Sequence, residues 1–148
     1  MNVDSQVDTC VDTRRKIVGA GEAANIAAGG ATVVSGYFDP LIAWHARWLA
    51  GFKKPARPLL VLIAMPEHPI LPAGARAELV ASLRVVDHVA EFSAELIHML
   101  DGASIIRIEN QDRELFQDLL ELVHSRQNGA PAEPGTPRAP EQAPAAPR

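Results

Sequence analysis

The run PLLVLIAMP at residues 58–66 constrains the fold more than any other part of the chain. Residues 59–64 are apolar on both faces of an extended chain, which is typical of a strand buried in a parallel sheet. The run is far shorter than the roughly 20 apolar residues that cross a bilayer. We therefore expect a buried core strand in a cytoplasmic protein that has no membrane partner.

Short β-branched runs alternate with helical periods along residues 31–123. Parallel strands need helical crossovers, so this order predicts an α/β protein with a small Rossmann-like three-layer fold and a mostly parallel sheet. Asn110 is the predicted cap of the last helix. Besides the run already described, the predicted elements are strands at 32–35, 86–92 and 104–108, and helices at 43–52, 72–83, 95–100 and 111–125.

Composition divides the chain into three segments. Residues 1–29 form an N-terminal segment with a short helix predicted at 22–28, and residues 30–126 form the α/β domain. Residues 127–148 contain half of the chain's 12 prolines and no large apolar side chain. Such a tail cannot bury enough surface to offset its ordering entropy, so we expect it to be disordered.

Charge and composition exclude several classes of partner. The formal net charge is −4 and aromatic residues make up 5% of the chain. Without a basic run or a set of stacking aromatics, we expect no nucleic-acid partner. Cys10 is the only cysteine, and the histidines form no ligand pattern. We predict no internal disulfide and no metal site built by the protein.

A glycine pattern at residues 19–24 matches the dinucleotide-binding fingerprint, and Asp39 follows Gly19 by 20 residues. The preceding residues, 14–18, include only two apolar side chains. A helix after the pattern would end at Gly29, which leaves too little chain for a crossover. We therefore interpret the pattern as a turn of small residues that leads into the short N-terminal helix.

The end of the first predicted strand carries a second motif, GYFDPLIAWH, at residues 36–45. It resembles the G-x-F-D-x-x-H-x-G-H signature of the cytidylyltransferase-like nucleotidyltransferase superfamily. Gly36, Phe38, Asp39 and His45 match that signature in order and spacing. The motif also lies between a strand and a helix, as it does in the family.

The likeness extends over residues 16–89 and is nearest to the heptose-phosphate and glycerol-phosphate nucleotidyltransferases. Residues 76–89 look like the family's R-A-E-L-x-x-x-L-x-x-V-D-x-V crossover after the second strand. Two separate motifs in the right order are rarer than either alone.

The resemblance implies an enzyme that binds a nucleoside triphosphate, CTP or ATP, with Mg²⁺. It implies transfer of the nucleotidyl group to a phosphorylated sugar or polyol. A glycine lets the backbone approach the triphosphate, and the following helix directs its N-terminal N–H groups at phosphate oxygens. The residues implied are His45 as the catalytic residue and Gly36, Tyr37, Phe38, Asp39 and Arg76 as nucleotide-binding residues.

Three of these residues have alternative roles that the sequence leaves open. His45 either contacts a phosphate or serves as a capping or packing histidine. Asp39 either has a functional role, in which it orients the loop or the counter-ion of the phosphates, or belongs to ordinary turn chemistry. Arg76 either reaches the nucleotide or pairs with Glu78 or Glu109.

The chain departs from the family pattern at two positions. Ile42 stands where the family has its first histidine, and Trp44 stands where it has a glycine. Losing one donor to the transition state costs about 2.7 to 4 kcal/mol, or 10² to 10³ in rate. Downstream, only Arg107 offers a cation where relatives close the site with basic and Ser/Thr-rich segments.

Two hypotheses follow from these departures. The chain is either a nucleotidyltransferase of impaired efficiency or a catalytically inactive pseudoenzyme that serves as a binding or assembly module. A homodimer is compatible with both. Lys53 and Lys54, after the first helix of the motif, either face phosphate or belong to a solvated helix end.

Overall fold

A computed structural model describes residues 11–129 of the protein. Cys10 and residues 130–148 of the tail predicted at 127–148 lie outside the described residues. The chain divides after Arg113 into two compact units, so the first unit contains the sheet and the second begins within the last helix. The strands are β1 (Thr32–Gly36), β2 (Leu59–Ile63), β3 (His88–Glu91) and β4 (Ile105–Arg107).

The helices lie between and after these strands. A short 3₁₀ helix, Thr13–Lys16, precedes them. None of the described helices is long and apolar enough to cross a membrane. The α-helices are α1 (Ala20–Ala28), α2 (Ala43–Phe52), α3 (Ala73–Ala81), α4 (Ala94–Met99) and α5 (Glu109–Gln127).

All four strands are parallel and lie in the order β3-β2-β1-β4. Successive residues of β2 point to opposite faces, so that Val61 enters one buried cluster with Leu49 of α2 and Val80 of α3. Leu60 enters the other cluster with residues of α1 and α4. The predicted α/β, Rossmann-like three-layer fold is therefore confirmed, and so is the burial of β2 on both faces.

The N-terminal segment differs from the expectation in one respect. Helix α1 begins at Ala20, two residues earlier than predicted, with Gly19 as its N-cap. Ala23 is fully buried in the cluster under α1, so this helix belongs to the core of the first unit. No strand precedes the glycine pattern in the described residues, where Ile17 makes only an isolated bridge to Val89.

The start of α5 also differs from the prediction. Asn110 lies inside the first turn and is not the N-cap, because the helix begins at Glu109. Ile108 still donates its N–H to the carbonyl of Ser35 at 2.8 Å, while its own carbonyl accepts from the N–H of Asp112 at 2.9 Å. The last sheet hydrogen bond and the first helical one therefore share a residue, and no room remains for a separate cap.

One ion pair joins two connections at the amino ends of the strands. The Lys53 ammonium group pairs with the Asp87 carboxylate, which also accepts the N–H of Leu59 at 2.7 Å. Lys53 therefore supports the entry to β2, at the end of the sheet opposite to the motif at residues 36–45. Partial burial acts to raise the pKa of Asp87, but the two hydrogen bonds and the Lys53 charge outweigh it and lower the pKa.

We expect Asp87→Asn to lower the free energy of unfolding near neutral pH and to lose this effect in acid. The folded-state pKa is the lower one, so the ionised carboxylate stabilises the fold above the unfolded-state pKa of about 3.9. That contribution disappears as the pH falls through the folded-state pKa. Urea unfolding of wild type and variant across this range tests it, with the exposed Asp101→Asn as control. A difference that stays constant with pH contradicts this account.

Candidate functional site

A cleft of about 480 Å³ lies at the carboxyl ends of the strands. In open parallel sheets, this edge is where ligands bind. Its wall contains one cation, Arg107, and one carboxylate, Glu109, among apolar and amide groups. The lining residues are Tyr37, Ala64, Met65, Phe92, Arg107, Glu109 and Asn110.

The carboxylate of Asp112 lies under this edge and is 6% exposed. One oxygen, Oδ2, accepts the backbone N–H of Tyr37 at 2.5 Å and that of Phe38 at 3.2 Å. The other oxygen, Oδ1, is 2.7 Å from Nε2 of His45. A side chain of the protein therefore occupies the donors of the motif that, by its family resemblance, would bind phosphate.

Strand pairing brings Asp112 to this turn. Strand β4 pairs in parallel with β1, so the first turn of α5 crosses the end of β1. A Cβ atom at Gly36 would lie 2.6 Å from Cγ1 of Ile108 and 2.9 Å from Oδ2 of Asp112. Glycine is therefore required at position 36 because α5 approaches there.

The backbone of Phe38 is part of the same arrangement. Its φ is 50°, in the left-handed region, which costs a non-glycine residue roughly 1 to 2 kcal/mol. The successive N–H groups of Tyr37 and Phe38 converge on one oxygen of Asp112. Such convergent N–H groups form a concavity that binds anions, and here the anion is internal.

His45 is 3% exposed, and both of its ring nitrogens have partners. The N–H of Ile42, the N-cap of α2, donates to Nδ1 of His45 at 3.1 Å. Since a backbone N–H can only donate, Nδ1 is the unprotonated nitrogen, and Nε2 carries the hydrogen that is donated to Asp112. This geometry favours the capping and packing role over a phosphate contact.

The indole of Trp44 begins a row of aromatic rings along α2. Its ring centroid lies 5.3 Å from that of His45 and 4.6 Å from that of Trp48. Trp48 lies 5.2 Å from Phe52, and both of these rings pack against the core. The row starts in the first turn of α2, which is the end at which a phosphate-binding helix must be open, and it runs along the helix to Phe52 at the other end.

Asp39 holds the loop that follows β2. Its carboxylate accepts the N–H of Ile70 at 2.6 Å and that of Leu71 at 2.9 Å. These bonds tie the turn after β1 to the connection that leads into α3. Both carboxylate oxygens of Asp39 are used by these two N–H groups. The position therefore favours a role in holding the loop over a contact with a counter-ion.

Arg76 is fully buried and donates to carbonyl groups of the same region. Its Nε donates to the carbonyl of Leu71 at 3.0 Å. Its Nη1 donates to the carbonyls of Tyr37 at 2.9 Å and Ala64 at 2.7 Å. Neither Glu78 nor Glu109 forms an ion pair with it among the described residues.

The β4 side of the cleft has its own polar contacts. The guanidinium of Arg107 lies 5.4 Å from the centre of the Phe92 ring, within the range of a cation–π contact. Ser35 Oγ donates to Oε1 of Glu109 at 2.6 Å. The carboxylate of Glu109 is thereby held beside the cleft that it lines.

In the structure, the site residues predicted from sequence fall into two groups. The residues of the first group surround the carboxylate of Asp112, and those of the second hold the loop after β2. Asp112 was not among the residues predicted from the sequence, because an acid in the first turn of a helix usually interacts only with solvent and the helix dipole. No local sequence signal could have revealed it, because its partners are brought close by the pairing of β4 with β1. The predicted residues are Gly36, Tyr37, Phe38 and His45 in the first group, and Asp39 and Arg76 in the second.

The fold and the site together define an α/β protein of the Rossmann-like type, in which the turn at the end of β1 binds the carboxylate of Asp112. No protein-family model matches the chain, and no curated protein matches it. Across residues 11–129, no three His, Cys, Asp or Glu side chains gather in a way that could hold a metal ion. Membership of the cytidylyltransferase-like superfamily therefore stays a prediction from the motifs.

We expect Asp112→Ala to lower the free energy of unfolding by about 3 kcal/mol or more. It leaves two backbone N–H groups and the His45 ring without an acceptor, and each unsatisfied buried donor costs about 1 to 3 kcal/mol. Asp118→Ala, an exposed change on the same helix, is the matched control and should be nearly neutral. Denaturant unfolding measures both, and equal stabilities of the two variants would show that Asp112 is not bound as described.

Proposed function

We propose that the protein is a non-catalytic binding module with a nucleotidyltransferase-like fold, in which the cleft at the strand ends takes a small polar ligand. The observation that carries this proposal is the position of Asp112. Its two carboxylate oxygens use the N–H groups of Tyr37 and Phe38 and the ring of His45.

A triphosphate competes with Asp112 for the same donors. Two anions cannot share one set of donors without strong repulsion in a site of low dielectric constant. Gly36 gives no extra space, because Ile108 and Asp112 already fill the position of its missing side chain. Nucleotidyl transfer depends on electrostatic stabilisation of phosphoryl oxygens, and the groups suited to it here are engaged.

Two further features support a binding role without transfer. Ile42 supplies neither charge nor a side-chain donor at the entry of α2, where the family has a histidine. The cleft remains open beside the occupied turn, and its volume of about 480 Å³ falls within the usual range for small-molecule sites. Its wall holds both signs of charge, Arg107 and Glu109, which suits a polar ligand of low net charge.

We expect no pyrophosphate release from CTP or ATP with Mg²⁺ above the background, for any of a set of sugar and polyol phosphates. The reason is that each donor removed from a transition state costs about 10² to 10³ in rate, and three are committed here. A coupled pyrophosphate assay on the full chain measures this. Release that rises with protein concentration and is saturable in nucleotide overturns the proposal.

A second experiment tests whether Asp112 occupies an anion site. In Asp112→Ala the vacated donors should accept an added anion, so we expect pyrophosphate to raise the melting temperature of this variant. Wild type and Asp118→Ala should show a clearly smaller rise at the same ionic strength, because Asp112 occupies the donors of the turn in both. If pyrophosphate stabilises all three proteins equally, Asp112 does not keep anions from the donors of the turn, and the account of this site is wrong.

A further inference from the structure

The guanidinium of Arg76 is a buried cation that lacks a counter-ion among the described residues. The side chain is 0% exposed, and its hydrogen bonds to oxygen all go to neutral carbonyl groups. Arginine is almost never fully buried unless it is paired. A cation in this state attracts an anion more strongly than an exposed arginine does, since little solvent screens it.

One nitrogen of this guanidinium is poorly satisfied. Nη2 has one hydrogen-bond partner in the described part of the chain, the thioether sulfur of Met65 at 3.6 Å. A thioether is only a weak acceptor. Nε and Nη1, by contrast, are held by carbonyl oxygens at 2.7 to 3.0 Å, so the geometry leaves Nη2 as the group able to take a stronger acceptor.

This nitrogen lies directly behind the cleft wall. Arg76 donates to the carbonyls of Tyr37 and Ala64 and contacts the sulfur of Met65, and these three residues all line the cleft. Met65 is 63% exposed, and its unbranched side chain has three rotatable bonds. Rotation of this side chain would take the sulfur away from Nη2.

We propose that Arg76 and Met65 form an anion subsite of the cleft, in which a carboxylate or phosphate group of the ligand displaces the Met65 thioether and binds Nη2. The exchange replaces a weak contact with a charge-assisted hydrogen bond, which is about twice as strong as a neutral one. This proposal names the chemistry of the ligand and rests on the proposed function only in using the same cleft.

The carboxylates near the cleft leave room for such a group. Glu109 lies at the β4 side and is held by Ser35, whereas Arg76 lies at the ends of β1 and β2, and β4 is separated from β2 by β1. Asp39 directs its oxygens at the N–H groups of Ile70 and Leu71. Among the residues that line the cleft, Glu109 is the one carboxylate, and it lies on the far side of β1 from Arg76.

The test uses full-length protein with ¹³C-labelled methionine methyl groups, titrated with inorganic phosphate or acetate against chloride at equal ionic strength. We expect a saturable shift of the Met65 methyl signal, with a dissociation constant on the order of 1 mM. Met99, which is exposed on α4, is the internal control and should not move. A larger response to phosphate indicates a phosphorylated ligand, and a larger response to acetate indicates a carboxylate.

Two variants separate this site from the cation at the rim of the cleft. Met65→Ala should bind the same anion roughly three- to tenfold more tightly by calorimetry, because no side chain must be displaced and reordered. Arg107→Ala should leave the Met65 shift in place. The proposal is wrong if neither anion moves the Met65 signal, if Met99 moves equally, or if Arg107→Ala abolishes binding. In each case absence of pyrophosphate release would still support the proposed function.

Discussion

The carboxylate of Asp112 is a buried charge, and the protein interior tolerates one only where donors surround it. Two backbone N–H groups and one imidazole supply those donors. The requirement explains features that otherwise look unrelated, namely the left-handed φ of Phe38, the glycine at position 36 and the tautomer of His45. Each of them allows a donor or the helix itself to come close to this one carboxylate.

Tyr37 joins this anion to a second buried charge. Its N–H donates to Asp112, and its carbonyl accepts from Arg76. The dipoles of its backbone groups therefore lie between a carboxylate on one side and a guanidinium on the other, with the favourable sign at both ends. The parallel order β3-β2-β1-β4 makes this possible, because it places the start of α5 and the entry to α3 on the two sides of β1.

The fold could be predicted from the sequence because its signals are local. A strand that is apolar on both faces, such as β2, and helices at regular spacing identify a parallel sheet without any long-range contact. The site could be predicted only in part, because its central contact joins residues 75 positions apart. Nothing in the sequence on either side of Asp112 distinguishes it from a solvated acid. The start of α5 at Glu109 could not be predicted either, because it is set by the hydrogen bond between Ile108 and Ser35 of β1.

A chain can match a catalytic motif without forming a catalytic site. Gly36 admits α5, Phe38 donates its N–H to Asp112, His45 caps α2 and donates to Asp112, and Asp39 holds the loop after β2. Each matched residue therefore has a structural task. Those tasks alone would keep such a motif recognisable in a chain that had no transfer activity. Evidence for binding must therefore come from groups that the fold does not satisfy, and the Nη2 atom of Arg76, with only a thioether beside it, is such a group at the cleft.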